Sequence, residues 1–228
     1  QTEDLPVDIA KTYYQFALIR VLQTDDLPRA ISDFEGAAAI FQECDLDLWQ
    51  AAIKTYLGSV YLQNGRFGLA DECLQQARMS FEYHNVLGLL ADNLNDSGKL
   101  NSHRGLQNLS LKQYQQAKEI NEHLDSKRQA ALALMNLGET YGQLGRYQDA
   151  LHHLEQAARQ LHSLEDYLRL GTCERYIAAI WLLLGESSPA LEHLDVAAEY
   201  YDQAGQKAYF ATIHRLRAGI LYQQGLFT

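Results

Sequence analysis

Apolar residues recur at three- and four-residue steps on both sides of one short break within residues 130–161, AALALMNLGETYGQLGRYQDALHHLEQAARQL. These steps match the period of an α-helix. Gly145 occupies the break, where the chain must reverse and where a positive φ costs glycine least. Gly138 and Ala150 are small residues inside the two flanking segments, so the two backbones can approach closely. The pattern predicts two antiparallel helices folded against each other.

The same unit recurs along the chain at a constant interval. Glycine stands at Gly65, Gly105, Gly145, Gly185 and Gly225, which sets a 40-residue period. Two further columns hold small residues, at Ala30, Ala70, Ser110, Ala150 and Ala190 and at Ala37, Ala77, Ala117, Ala157 and Ala197. Self-similarity at this period indicates a helical solenoid, because each unit can bury its apolar face only against its neighbours.

The pattern predicts eleven helices. We expect them at 7–23, 28–43, 47–64, 67–84, 87–104, 107–124, 127–144, 147–163, 166–184, 188–204 and 207–224. Taken in pairs they give repeats at 7–45, 46–85, 86–125, 126–165 and 166–205, with an incomplete repeat at 206–228. The sequence therefore predicts an all-α fold of about five and a half repeats, forming one array over residues 1–228.

One repeat carries the pattern L-G-x-x-Y-x-x-x-G-x-[FY]-x-x-A-x-x-x-[FL]-x-x-A. Its residues are Leu57, Gly58, Tyr61, Gly65, Phe67, Ala70, Leu74 and Ala77, and residues 137–157 carry the pattern more fully. This pattern resembles the tetratricopeptide repeat family. The 40-residue period resembles its longer-helix variant, found in animal spindle-orientation adaptors and in bacterial signalling regulators. The resemblance implies a right-handed superhelical solenoid of antiparallel helix pairs that binds proteins or peptides along a concave groove.

Charge and cysteine usage narrow the class of partner. The net charge is −10 and the sequence pI is near 5.2, which argues against nucleic acid or a membrane as a direct partner, since both need a basic surface. The three cysteines are odd in number and far apart, so we expect a reducing, cytoplasmic location. The chain lacks an initial Met and stops soon after Gly225, so we expect a fragment of a larger protein. An uncovered end would also permit self-association.

Candidate binding residues lie where the first helix of each repeat should face the groove. They are Asn95, Lys99, His103, Asn136, Glu139, Arg175 and Arg215. Asparagine amides can hydrogen-bond a peptide backbone, and arginine can bind a carboxylate through two parallel hydrogen bonds. We therefore expect the ligand to be a protein or an extended peptide, and to be acidic if Lys99, Arg175 and Arg215 bind it. Alternatively, Arg175 and Arg215 form ion pairs with Glu139, Glu174 or neighbouring acids, and this face is an ordinary solvent-exposed surface.

The third repeat departs from the pattern. Ser97 stands where Leu57 and Leu137 stand, and Asn101 stands where Tyr61 and Tyr141 stand. A buried polar group costs roughly 1–3 kcal/mol unless it finds a partner. One interpretation is that these residues are hydrogen-bonded locally. The other is that they make this repeat less rigid or form a polar site that a bound ligand completes.

Motifs for catalysis are absent from the sequence. It has no Gly-rich phosphate loop, no HExxH and no GxSxG. His152 and His153 are adjacent and therefore point in different directions on a helix, so no metal or other cofactor is expected. We expect a non-catalytic scaffold for protein or peptide binding. The alternative is a regulatory or sensor segment that controls an attached effector, such as a transcriptional regulator, an ATPase or a protease.

Overall fold

Eleven α-helices make up the part of the chain that the computed structural model describes, residues 5–21 and 26–223. They are α1 (Leu5–Ile19), α2 (Leu27–Glu43), α3 (Asp47–Gln63), α4 (Phe67–Tyr83), α5 (Leu87–His103), α6 (Gln107–His123), α7 (Lys127–Gln143), α8 (Tyr147–Ser163), α9 (Tyr167–Leu183), α10 (Ser187–Gln203) and α11 (Phe210–Gln223). A short 3-10 helix at Lys207–Tyr209 precedes α11, and these residues contain no β-strand. The predicted all-α fold is confirmed.

The observed helix bounds follow the predicted ones closely. Helices α2 to α10 are all equal in length, and each starts at the same interval after the one before it. The two ends differ most: α1 begins at Leu5 and ends at Ile19, and α11 begins at Phe210 because the preceding three residues form the 3-10 turn. The turn predicted at Gly225 lies outside the described residues.

Two compact units divide the chain, Gln1–Ile120 and Asn121–Thr228. Within the first unit, helices α1 to α5 pack consecutively, each against its neighbour in this series. Within the second unit, the same holds for α7 to α11. The odd-numbered helices are the first helices of the predicted repeats and the even-numbered ones are the second helices. One array continuous over 1–228 stays a prediction.

A residue with positive φ follows each of the helices α2 to α10, always at the same place in the connection. These residues are Asp45, Gly65, Asn85, Gly105, Asp125, Gly145, Glu165, Gly185 and Gly205. After α3, the N–H of Arg66 donates to the carbonyl of Tyr61 at 2.8 Å and that of Gly65 donates to Leu62 at 3.0 Å. This pair of bonds is the Schellman ending, which satisfies the last free carbonyls of a helix. Each of these helices is therefore followed by a left-handed residue, whether or not that residue is glycine.

A glycine inside the first helix leaves no room for a Cβ atom in two of the helix pairs. A Cβ atom at Gly138 would lie 2.6 Å from Leu154 Cγ and 3.1 Å from the carbonyl oxygen of Ala150. At Gly58, the corresponding distance to Leu74 Cγ would be 2.7 Å. Both leucines are buried, so they have little room to move. The predicted close approach at Gly138 is therefore present in the structure.

Each unit has its own apolar core. In the first unit the largest buried side chains include Phe34, Phe41 and Ile53. In the second unit they include Leu161 and Tyr201. These residues come from both helices of a pair and from the next pair, as expected for repeats that bury their faces against neighbours.

We predict that Gly138→Val lowers the free energy of unfolding by about 1–3 kcal/mol, because the new side chain overpacks the contact with Leu154. Urea unfolding followed by circular dichroism measures the change.

Gly36→Val is the matched control, because a Cβ atom at Gly36 would have no neighbour within 4 Å. The control should change stability by less than about 1 kcal/mol, since valine and glycine differ little in helix propensity. Equal losses in the two variants would contradict the close-packing explanation.

Candidate peptide-binding site

A depression of about 380 Å³ opens between α3 and α5 in the first unit. It is lined by Ser59, Leu62, Gln63, Asp96, Lys99 and His103. Two of the predicted groove residues, Lys99 and His103, lie in it together. Ser59 and Lys99 are one full repeat apart, so they occupy the same position in successive first helices. We call this depression the α3–α5 pocket.

Asp96 organises the polar groups of the α3–α5 pocket. Its carboxylate accepts a hydrogen bond from Ser59 Oγ at 2.5 Å and forms an ion pair with Lys99 Nζ at 2.9 Å. The Lys99 side chain remains half-exposed, and Gln63 and His103 are exposed. Because a lysine ammonium has three donors, Lys99 can still donate to a ligand while it is bound to Asp96.

A second carboxylate lies one turn before Asp96. Burial raises the pKa of Asp92, the negative charge of Asp96 raises it further, and Lys99 acts in the opposite direction. The pocket lining therefore combines one lysine, Lys99, with one acid, Asp96, while Asp92 lies one helical turn away. This balance suits neutral hydrogen-bonding groups, such as peptide carbonyls, at least as well as it suits carboxylates.

The asparagines of α5 lie deeper than the sequence suggests. Asn95, a predicted groove residue, is only 7% exposed. Asn93 is fully buried, and its Nδ2 donates to the carbonyl of Leu74 at 3.1 Å and to Thr55 Oγ1 at 3.3 Å. In this structure Asn95 therefore does not present an open amide to the surface.

The polar residues of the third repeat bond to each other. Asn101 Nδ2 donates to Gln113 Oε1 at 2.7 Å and to the carbonyl of Ser97 at 3.0 Å. On the same pair of helices, Ser110 Oγ donates to the carbonyl of Gly98 at 2.8 Å. These bonds favour local hydrogen bonding, the first of the two interpretations of this repeat.

In the second unit, the structure brings Glu139 and Arg175 together through Tyr176. Arg175 Cζ lies 4.6 Å from the centre of the Tyr176 ring, and Glu139 is close enough for its negative charge to act on the Tyr176 hydroxyl. Burial and then the charge of Glu139 raise the pKa of Tyr176 to about 12, while Arg175 lowers it. Arg175 thus lies over a tyrosine ring, and no ion pair with the acids considered from the sequence is found in the described part of the chain.

The other two predicted residues of the second unit stand outside this cluster. Asn136 is half-buried, and its backbone carbonyl accepts a hydrogen bond from Thr140 Oγ1 at 2.8 Å. Arg215 is exposed on α11 and forms no ion pair with any residue in the described part of the chain. Glu174, which was considered as an arginine partner, instead lies 2.6 Å from His193 Nδ1.

The sequence analysis did not identify Asp96 as the partner of Lys99 or Tyr176 as the neighbour of Arg175. Asp96 precedes Lys99 by three residues, which is the spacing of a helical ion pair, so the sequence did contain a signal. Tyr176 offers no such signal, because its partner Glu139 belongs to a different repeat.

Residues 5–21 and 26–223 contain neither a candidate metal site nor a candidate membrane-spanning helix. No three His, Cys, Asp or Glu side chains in these residues lie close enough together to hold a metal ion. No helix among them is both long and apolar enough to cross a membrane.

One repeat of the chain matches a known protein family. The family described as Tetratricopeptide repeat matches residues 131–161. The chain contains a tetratricopeptide repeat. This match covers residues 137–157, one of the two stretches from which the resemblance was drawn, and the solved structures that resemble the chain are tetratricopeptide-like repeat proteins. The resemblance to the tetratricopeptide repeat family is confirmed. No curated protein sequence matches the chain significantly.

Solved structures extend the similarity over the described fold. Aspartyl phosphate phosphatase F from Bacillus subtilis superposes with a TM-score of 0.84 at 16% identity, over 97% of this chain and 58% of its own. A Rap protein complexed with competence and sporulation factor gives a TM-score of 0.81 at 16% identity, over 88% and 56%.

A signal transduction ATPase with a tetratricopeptide repeat sensor, from Pyrococcus horikoshii, gives a TM-score of 0.72 at 16% identity, over 96% of this chain and 33% of its own. The chain therefore spans little more than half the length of the first two proteins and a third of the last. At these identities the common feature is the fold.

We predict a thermodynamic coupling between Asn101 and Gln113. Asn101→Leu and Gln113→Leu should each cost about 1–2 kcal/mol, because each leaves a buried amide without its partner. The double variant should cost less than the sum of the two, since neither amide remains. Urea unfolding of all four proteins gives the coupling energy, and strictly additive losses would show that this hydrogen bond contributes nothing.

We also predict a pH-dependent effect of Asp92→Asn. A carboxyl group whose folded pKa is raised stabilises the fold fully below its unfolded pKa, and that contribution is lost as pH rises through the folded pKa. The variant should therefore gain stability relative to the parent as pH rises from about 3 to 7. Thermal unfolding across this range measures the gain, and Glu155→Gln, an exposed carboxyl, should show no such trend.

Proposed function

We propose that the chain is a non-catalytic, cytoplasmic protein-interaction module that binds an extended segment of a partner protein along its first helices. The observation that carries this proposal is the α3–α5 pocket, where Lys99 and His103 lie beside Gln63 at an open surface. In the second unit, Glu139 and Arg175 provide a further polar contact, with Asn136 and Arg215 as more distant candidates.

The chemistry of the α3–α5 pocket favours ligands that accept hydrogen bonds. Lys99, Gln63 and His103 all offer N–H donors, whereas Asp96 already accepts from Ser59 and Lys99. Extended peptides present a carbonyl on every residue, so they can satisfy several donors at once. An acidic side chain in the partner would add an interaction with Lys99 or with the exposed Arg215.

The similarity to the Rap complex supports a partner-binding role by analogy. That structure holds competence and sporulation factor, and it superposes on 88% of this chain. The same fold is therefore compatible with binding a ligand of that kind, although the identity of 16% transfers no individual residue.

A second candidate is regulation of an attached effector domain. It draws on the signal transduction ATPase, in which nearly the whole of this chain corresponds to one third of a longer protein with a repeat sensor. In that arrangement the same first-helix surface would bind a ligand or another domain of its own polypeptide.

We predict that a photo-crosslinking residue at Gln63 captures the partner in a lysate of the source organism. Gln63 lines the α3–α5 pocket and is exposed, so a benzoylphenylalanine there should contact a bound ligand without disturbing the core. Lys99→Glu in the same protein should reduce the crosslink at least tenfold. Mass spectrometry of the crosslinked peptide identifies the partner.

The matched control is the same crosslinker at Gln75, which is exposed on the second helix α4 and bonds Asp71. Capture from Gln75 but not from Gln63 would place binding on the second helices and contradict the proposal. Capture of an effector domain encoded on the same polypeptide would favour the second candidate.

A further inference from the structure

Two adjoining depressions form a groove on the second-helix side of the first unit. One, of about 330 Å³, is lined by residues of α2, α3 and α4, and the other, of about 390 Å³, by residues of α3, α4 and the turn after α4. Both are lined by Gln50, Lys54 and Gln76, so they are continuous. We call them together the α2–α4 groove. Its lining residues differ from those of the α3–α5 pocket, so it is a separate site and does not rest on the function proposed above.

Helix α3 forms the floor of the α2–α4 groove. Gln50, Lys54, Leu57 and Tyr61 recur at steps of three and four residues, so they lie on one face of the helix, and all four line the groove. Helices α1 and α5 pack on the outer sides of α2 and α4 within the same unit. The groove therefore lies inside the array and does not depend on where the sequence begins or ends.

Lys54, at the centre of the groove, has no partner for its charge. The side chain is half-buried and forms no ion pair or hydrogen bond with any residue in the described part of the chain. The nearby acids are already bound: Glu35 accepts from the Tyr61 hydroxyl at 2.8 Å, and Glu72 accepts from Gln76 Nε2 at 3.3 Å. A cation that is partly removed from water gains most from an anionic partner, so the centre of the groove favours a carboxylate.

The two ends of the groove differ in chemistry. Met79 and Tyr83 line one end and are 70% and 86% exposed, so this end offers apolar contact area. Glu35 and Glu72 line the other end, where both carboxylates are exposed. A ligand that lies along the groove therefore meets an apolar surface, then a cation, then a pair of acids.

Glutamine amides in the groove match a main chain. Gln50 Nε2 donates to Gln42 Oε1 at 3.2 Å, which leaves Gln42 Nε2 as a donor and Gln50 Oε1 as an acceptor with no partner among the described residues. A peptide unit presents one N–H and one carbonyl, so it can bond to both. Main-chain groups are free for this in an extended segment, whereas a helix uses them internally.

We infer that the α2–α4 groove binds an extended segment of a partner protein that carries an apolar residue, an acidic residue and a basic residue in this order along the groove. The acid pairs with Lys54, the apolar residue packs on Met79 and Tyr83, and the basic residue meets Glu35 and Glu72. From Asp47 to Tyr61 the floor of the groove is about 21 Å long, which six or seven extended residues would cover.

The given sequence supplies no such segment outside the described structure. Residues 1–4, 22–25 and 224–228 contain no lysine or arginine, so none of them combines an acid with a base. The charge pattern of the groove therefore points to another protein as the source of the segment.

The test is selection of random heptapeptides displayed on phage against the intact 228-residue chain. Enriched peptides should share a central Asp or Glu, with an apolar residue on one side and Lys or Arg on the other. Lys54→Glu should weaken binding of the most enriched peptide at least tenfold in fluorescence anisotropy. Selection against this variant should replace the central acid with Lys or Arg.

Lys112→Glu is the matched control, because it makes the same charge change at an exposed position of α6 that does not line the groove. It should leave the affinity unchanged, and circular dichroism should show both variants folded. Lys99→Glu separates this site from the α3–α5 pocket. Peptides that lose binding with Lys99→Glu but keep it with Lys54→Glu would belong to the α3–α5 pocket and overturn the present assignment.

The cysteines report where the selected peptide binds. Cys73 lines the groove, whereas Cys44 is also half-buried but does not line it. Burial raises the pKa of the Cys73 thiol, so alkylation by iodoacetamide is followed at pH 8. Saturating peptide should slow the alkylation of Cys73 at least fivefold and leave that of Cys44 unchanged, as measured by mass spectrometry.

Four other results would overturn the proposal. Selection could enrich no common pattern, or the bound peptide could leave Cys73 unprotected. Sedimentation could show a dimer of the chain that Lys54→Glu dissociates, which would assign the groove to a second copy. Binding to the 228-residue chain that is lost in a longer polypeptide containing it would assign the groove to a segment of that same polypeptide.

Discussion

The spacing of two helix pairs, α3 with α4 and α7 with α8, depends on the contact between a glycine in the first helix and a leucine in the second. At Gly138 the Leu154 side chain fills the space that a Cβ atom would occupy, and Gly58 and Leu74 repeat the arrangement. This spacing fixes which residues of the first helix remain at the surface. The α3–α5 pocket follows from it, because Ser59 and Lys99 each directly follow the glycine position.

The third repeat keeps this geometry with different chemistry. Gly98 meets the ring of Tyr114 instead of a leucine, and the polar residue Asn101 is matched by Gln113 across the pair. Buried polar pairs contribute less to stability than apolar packing of equal volume, but they favour one particular pairing of helices. The same helix α5 also carries Asp96 and Lys99, so the repeat that departs most from the apolar pattern contributes most of the pocket's polar groups.

Much of the fold could be predicted from the sequence because helical period and glycine position are local signals. The turns after second helices were less visible, since Asp45 and Glu165 adopt positive φ without being glycine. In the candidate site, Lys99 and His103 share a pocket, as their positions on one face suggested. Burial of Asn95 and the proximity of Glu139 to Tyr176 could not be predicted, because both depend on how one repeat packs against another.

Uniform helix length constrains how this sequence can change over evolutionary time. From α2 to α10 the helices are equal in length, and the connections between them are equal as well. Inserting one residue in a helix would rotate everything after it by about 100°, turning the core face of that segment away from its neighbours. Point substitutions carry no such penalty. A lineage with this architecture should therefore diverge by substitution far more than by insertion.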